Sequence, residues 1–212
     1  MKTLLTILIL IPLVSIAQTS KQAPEDLAAY LLPLSTMKIV LRSADGKNIH
    51  NLSYIASTPS SNKCKDNPNK ICGYSYPLEK RMDMILGVNK IAGPTYKYTV
   101  STTEKLAPTA ITRIGVENAG TVDSNKILGL EAGKDVLFSK TDKISEWYGL
   151  DFSEGNLTLN LKSGKFSPCI KLYNSKDSLS VFACKGFGVV KTEDSSSKPS
   201  VIYEAVSIEK SK

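Results

Sequence analysis

The chain of 212 residues has a single histidine and a single tryptophan, and this scarcity excludes several kinds of site. A metal centre built from several imidazoles cannot form, and any catalytic triad would have to use His50. The nucleophile elbow, the phosphate loop, the dinucleotide fingerprint and the His-Glu-x-x-His helix are all missing from the sequence. The residues therefore indicate no catalytic group, no metal and no cofactor.

Long apolar runs are also scarce, and the one clear example lies at the start of the chain, from Leu4 to Val14. This run is too short to cross a bilayer, which takes about 20 apolar residues. Lys2 precedes the run and Ser15-Ile16-Ala17 follows it, as in secretory signal peptides. We therefore expect residues 1–17 to be a signal peptide cleaved after Ala17, and the rest to be exported without a transmembrane segment.

The predicted export indicates that the four cysteines form disulfides, because thiols in an oxidising compartment usually do so. Four cysteines allow three pairings. We favour Cys64 with Cys72 and Cys169 with Cys184, since each pair is close in sequence and flanks a turn. A four-cysteine zinc site is the alternative, but the chain lacks the close Cys-x-x-Cys pairs that such sites use.

Alternation of apolar and polar residues dominates the chain from Met37 onward, and turn residues recur between the alternating segments. In Asn156–Leu161, for example, the leucines are expected on one face and the polar residues on the other. The pattern predicts an all-β fold, an antiparallel β-sandwich or barrel stabilised by disulfides. One short N-terminal helix is expected between Pro24 and Leu32.

The domain organisation follows from the same pattern. Residues 18–36 form a lead-in with the short helix, and residues 37–212 form a single β-rich domain. Two smaller β modules meeting near residues 120–145 are the alternative.

A hairpin between Cys169 and Cys184 is the most specific structural prediction. If Ser175–Ser178 is a four-residue loop, Leu172 faces Val181 and Ile170 faces Ala183 on one side of the hairpin. The same register places Cys169 opposite Cys184 on the other side. A disulfide closing a loop of this length stabilises the fold by about 3 kcal/mol in the chain-entropy model.

Two kinds of processing signal are present. Asn51-Leu-Ser53 and Asn156-Leu-Thr158 are sequons, so Asn51 and Asn156 are candidate N-glycosylation sites in a eukaryotic host. Lys80-Arg81 is a candidate dibasic cleavage site, and a solvated charged turn is its alternative.

The positive charge comes almost entirely from lysine, since the arginines are only Arg42, Arg81 and Arg113. Nucleic-acid-binding proteins favour arginine and cluster their charge, so we expect no nucleic-acid partner. A cell-wall polysaccharide or another anionic surface is the candidate partner. The oligomeric state cannot be derived from these residues.

The C-terminal third carries a resemblance. Trp147–Leu159, Phe166–Cys169, Leu179–Cys184 and Tyr203–Ile208, together with Leu41–His50, resemble the small secreted fungal cell-wall proteins of the phialide-development type. The resemblance implies a non-catalytic β-sandwich or barrel deposited in or on the cell wall.

These observations predict a secreted, non-catalytic structural or interaction protein of the cell surface or cell wall. The first alternative is a secreted effector or toxin precursor released by cleavage at Lys80-Arg81. The second is a secreted hydrolase that uses His50 as its base.

Overall fold

The structure is a computed structural model that describes residue 24 and residues 27–103, 108–117, 135–139, 150–196 and 198–211. For residues 28, 108–117 and 135–139 only the backbone is considered. The predicted signal peptide, its cleavage site at Ala17, Trp147 and most of the alternative module boundary at 120–145 lie outside the described residues.

One short helix, α1 (Ala28–Leu31), precedes a series of antiparallel strands. The strands are β1 (Met37–Ser43), β2 (Asn48–Ala56), β3 (Ser60–Lys63), β4 (Ile71–Leu86), β5 (Asn89–Ile91), β6 (Thr95–Thr103), β7 (Pro108–Glu117), β8 (Asp135–Ser139), β9 (Asp151–Leu161), β10 (Gly164–Asn174), β11 (Leu179–Cys184), β12 (Gly188–Asp194) and β13 (Val201–Lys210). The prediction of an all-β antiparallel fold with a short N-terminal helix is confirmed.

All thirteen strands belong to one sheet, in the order β8-β7-β6-β4-β2-β1-β13-β12-β11-β10-β9. The short strands β3 and β5 pair with β4 beside this path. Among the described residues the sheet is open rather than a closed barrel, because β8 and β9 each pair with one strand only. β1 lies at the middle of the path, between β2 and β13.

The core lies on the face of the sheet that curls around α1. The helix contacts β7 on one side and both β11 and β12 on the other, strands that are far apart in the strand order. Leu31 of the helix packs in one cluster with Ile39, Tyr98 and Ile170 from separate parts of the sheet. Full burial of such side chains stabilises the fold by about 1.5–3 kcal/mol each.

The hairpin of β10 and β11 has the predicted register. Cys169 lies opposite Cys184, Ile170 opposite Ala183, and Leu172 opposite Val181. The Cys169–Cys184 disulfide is formed across this pair, with the two Cα atoms 4.0 Å apart. The Cys64–Cys72 disulfide is formed as well, so both predicted pairings are confirmed.

Strand β4 was not expected from the sequence, although it pairs with β2, β3, β5 and β6. Its inward positions include Leu78 and the charged residue Lys80, which interrupts the apolar alternation. The segment 58–72 is rich in Asn, Ser and Pro, a composition that predicts a loop, yet part of it is a strand. Ser60–Lys63 forms β3 there because its backbone pairs with β4, although its side chains are exposed and polar.

Strand β13 contains a β-bulge opposite β1. Val40 pairs with Ser207 and Leu41 pairs with Ala205, so Val206 is an extra residue without a partner on β1. A bulge of this kind bends the strand and changes the direction of nearby side chains. The bulge therefore makes the outer surface of β1 and β13 uneven.

Candidate binding groove

His50 lies in β2, between Leu41 of β1 and Met84 of β4. Its ring is stacked on Tyr203 of β13, with the centroids 4.1 Å apart and the planes 17° from parallel. Burial lowers the pKa of His50, so the imidazole is neutral at pH 7. Within the described part of the chain no carboxylate is hydrogen-bonded to this ring as the orienting group of a general base would be. The visible role of His50 is an aromatic contact.

Lys80 and Arg81 lie in the middle of β4, where the backbone has a strand on each side. Lys80 faces Tyr54 of β2 and Tyr96 of β6, and its exposed fraction is only 9%. Arg81 forms an ion pair with Asp83 at 2.8 Å. A protease needs an extended, accessible segment, so cleavage here would require β4 to leave the sheet first. The alternative of a solvated charged turn is wrong, because both residues are in a strand.

The two sequons differ in accessibility. Asn156 is exposed on β9, which is an edge strand of the sheet. The predicted alternation of inward and outward side chains is observed in this strand. Leu157 and Leu159 pack against the core while Thr158 is exposed. Asn51 instead lies half-buried on the outer face of β2, between Val40 of β1 and Asp83 of β4. Asn156 is thus the more open acceptor.

The zinc alternative is excluded by the two disulfides. Cys64, Asp66 and Cys72 lie close enough together to suggest a metal site. Both thiols are consumed in the Cys64–Cys72 bond, however, and cannot provide thiolate ligands. This bond closes the loop that carries Lys65 and Lys70.

Two cavities lie on the outer face of the central strand, and we call this face with its two cavities the β1 groove. Lys38, Val40 and Arg42 point outward from β1, while the residues between them are buried. The two cavities have no lining residue in common. The cavity at the Arg42 end has a volume of about 130 Å³, and the cavity at the Lys38 end has a volume of about 260 Å³.

The bulge in β13 lies between the two cavities. Val206 lines the Arg42 end and Ser207 lines the Lys38 end, although the two residues are consecutive. Two side chains therefore contribute to the groove where a regular strand would place one.

The turn between β9 and β10 forms one wall of the Arg42 end. The backbone nitrogen of Ser163 donates a hydrogen bond to the Ala205 carbonyl at 3.3 Å. The Ser163 hydroxyl donates to the same oxygen at 2.8 Å. These bonds hold the turn against β13, so Lys162 lines the cavity together with Arg42.

The charges at the Arg42 end are arranged unevenly. Arg42 lies opposite Glu204 in the β1–β13 ladder, but Glu204 forms its ion pair with Lys191 at 3.2 Å. Lys191 is also paired with Glu193 at 2.9 Å. Among the described residues neither Arg42 nor Lys162 has an ion-pair partner. The cavity therefore has two exposed cations and one carboxylate that is already ion-paired with Lys191, which also pairs with Glu193.

Lys191 is held firmly in this arrangement. Burial by itself would lower the pKa of Lys191, but the hydrogen bonds to Glu193 and Glu204 outweigh burial and raise it. Its ammonium also lies 5.3 Å from the centroid of the Phe182 ring. A cation in such contact is stabilised by the ring electrons. Lys191 therefore stays charged and holds the Glu204 carboxylate in an ion pair.

The Lys38 end offers mainly hydrogen-bonding groups. Asn51, Ser53 and Ser207 line it with an amide and two hydroxyls, and Lys38 faces Glu209 across the ladder. Such groups bind hydroxyl-rich ligands by donating and accepting hydrogen bonds. The whole groove can therefore bind an extended polar ligand that carries negative charge at one end.

Comparisons with known proteins add little to this geometry. No protein-family profile matches the chain, and no curated protein matches it. One solved structure that is similar is described as a "putative lipoprotein" from Parabacteroides distasonis ATCC 8503, with 11% identity and a TM-score of 0.38. The similarity covers 85% of this chain and 98% of that chain. A TM-score this low establishes neither a common fold nor a function.

The two disulfides are typical of proteins that reside in an oxidising compartment. None of the described helices is long and apolar enough to span a membrane.

Proposed function

We propose that this chain is a secreted, non-catalytic interaction protein that associates with the cell surface through a polysaccharide. The observation that carries the proposal is the β1 groove. It lies on the outer face of β1, and its two cavities supply cations, hydroxyls and an amide. These are the groups that recognise a hydroxyl-rich anionic polymer.

The position of the groove supports a binding role. β1 has strands on both sides, and its inward side chains Met37, Ile39 and Leu41 are buried in the core. The backbone of a strand that is paired on both sides is already ordered before a ligand binds, so only the side chains lose conformational entropy. The groove therefore presents its polar groups from fixed backbone positions.

Secretion is supported by the expected signal peptide and by the two disulfides. Association with a cell wall is part of the same proposal, on the strength of the resemblance of residues 147–208 to secreted fungal wall proteins. We assign glycosylation, in a eukaryotic host, to Asn156. A glycan on Asn51 would lie in the Lys38 end and occupy the groove.

Sedimentation with insoluble polysaccharide tests this function. Purified mature protein is mixed with cell walls of the producing organism, and the bound fraction is measured at low and at high salt. We expect binding that decreases as salt rises, because the cations of the groove are exposed to solvent. The variant Ser207→Trp fills the Lys38 end and should bind less, whereas the matched control Ser153→Trp, at an exposed position of β9 outside the groove, should bind normally. Failure of the native protein to sediment with any wall fraction would refute the proposal.

A further inference from the structure

We propose that the Arg42 end of the β1 groove is a subsite for the carboxylate of an acidic sugar, so that the ligand is a polymer containing hexuronic acid units. This inference rests on the proposed polysaccharide binding and gives its ligand class. It is carried by three features of the cavity, which are its unpaired cations, its ion-paired carboxylate and its apolar surface.

The first feature is the pair of cations, Arg42 and Lys162. The planar guanidinium of Arg42 can donate two parallel hydrogen bonds to one carboxylate, a geometry that a hydroxyl group cannot match. Lys162 lines the same cavity from the β9–β10 turn. Because neither side chain has an ion-pair partner among the described residues, a bound carboxylate would not have to displace an existing bond.

The carboxylate of Glu204 decides between classes of anion. It lines the cavity beside Arg42 and is half-buried. A phosphate monoester with two negative charges would be repelled by the Glu204 carboxylate more strongly than a ligand with one negative charge. A uronic acid has one negative charge and several hydroxyls, and a hydroxyl next to Glu204 can donate a hydrogen bond to it. The mixture of charges therefore favours a carboxylate sugar over a phosphate monoester.

The apolar lining of the cavity and the spacing along β1 suit the binding of sugar rings. Ile202 and Val206 supply apolar surface, which can contact the carbon-bound hydrogens of a pyranose. Arg42 and Lys38 are four positions apart on β1, which corresponds to about 13 Å along the strand. The Lys38 end, with Ser207 and Asn51, is then placed to receive a neighbouring unit of the same polymer.

Calorimetric titration with matched oligosaccharides tests the subsite. The probes are oligomers of galacturonic, glucuronic and mannuronic acid, each compared with its methyl ester, which has the same sugar but no charge. We expect at least one acid to bind about tenfold more tightly than its ester, because only the acid can accept charge-assisted hydrogen bonds from Arg42 and Lys162.

Three variants locate the effect. Arg42→Gln should remove the preference for the acid and retain binding of the ester. Lys162→Gln should reduce the preference for the acid without removing it. Lys165→Gln is the matched control, because it lies in the same hairpin, is exposed and does not line the cavity. Thermal unfolding of each variant checks that the fold is intact.

Two results would overturn the inference while leaving the proposed function standing. One is equal binding of acid and ester by a protein that still sediments with cell walls. The other is an unchanged preference for the acid in a folded Arg42→Gln protein. Loss of sedimentation with every wall fraction would instead refute the proposed function itself.

Discussion

Arg42 and Glu204 face each other in the β1–β13 ladder, yet the carboxylate of Glu204 forms its ion pair with Lys191 instead. Opposite charges at facing positions of an antiparallel sheet normally stabilise each other. Here the pairing is diverted to the neighbouring strand β12, and Arg42 remains open to the groove. The ability to bind an anion at this position thus depends on a residue that does not line the cavity.

Substitution of Lys191 by methionine tests that dependence. Without Lys191, Glu204 is expected to pair with Arg42, and binding of an acidic oligosaccharide should weaken by about three- to tenfold, which corresponds to the strength of a partly exposed ion pair. Lys171→Met is the control, because Lys171 also lies near the Phe182 ring, at 5.6 Å. Equal affinities of the two variants for the ligand would contradict the explanation.

The stack of His50 on Tyr203 predicts a dependence of stability on pH. Burial holds the pKa of His50 in the folded protein below its unfolded value of about 6.5. Between the two values the unfolded chain binds more protons than the folded chain, so stability falls as the pH decreases through that window. His50→Phe keeps an aromatic ring there and should have a smaller decrease in Tm between pH 7 and pH 5. Parallel curves for both proteins would refute this assignment.

The two disulfides should differ in their response to a reductant. Cys169 and Cys184 are both buried, whereas Cys72 is exposed. Mild reduction followed by alkylation and mass spectrometry should therefore label Cys64 and Cys72 first. Replacing Cys169 and Cys184 by alanine should lower the free energy of unfolding by about 3 kcal/mol. Labelling of the buried pair first would show that the hairpin opens more easily than its burial implies.

Limited proteolysis with trypsin examines the dibasic segment. The bond after Arg81 lies within paired β4 and should resist cleavage in the folded protein, whereas the bond after the exposed residue Lys70 should be cut earlier. A cut after Lys70 leaves its two ends joined by the Cys64–Cys72 disulfide. The urea-unfolded protein is the control, in which both bonds should be cut. Rapid cleavage after Arg81 in the folded protein would instead favour the effector precursor.

The β10–β11 hairpin could be predicted because local and long-range preferences agree there. Ile170, Leu172, Val181 and Ala183 occupy alternate positions of their strands, and a turn of suitable length separates the two pairs. A four-residue loop then fixes the register that pairs Leu172 with Val181 and Ile170 with Ala183. The same register places Cys169 opposite Cys184, so their pairing needs no additional assumption.

Strand β4 could not be predicted in the same way. Lys80 occupies an inward position between Tyr54 and Tyr96, where a local pattern requires an apolar residue. A lysine can be buried there because its aliphatic stem packs among the neighbouring side chains. This environment is supplied by strands that are distant in sequence, so a local reading assigns the charged pair to a surface turn.

The β1 groove was also missed by sequence reasoning, for a different reason. Arg42 and Lys38 could be read as outward positions of a strand, but nothing local indicates the bulge at Val206. The approach of Lys162 depends on the contact of the β9–β10 turn with Ala205, a residue more than forty positions later. The signal that was available is the alternation in β1, which places its cations on one face.

Mapping of backbone amide shifts by NMR during titration with an acidic oligosaccharide tests the central claim most directly. The account predicts that the largest shifts occur at Lys38, Val40, Arg42 and Ser207, with a smaller change at Lys162. The outer face of the β10–β11 hairpin around Tyr173, which is exposed but lies outside the groove, should not respond. Shifts that cluster at Tyr173 or at the His50–Tyr203 stack, with β1 unaffected, would contradict the assignment of the groove.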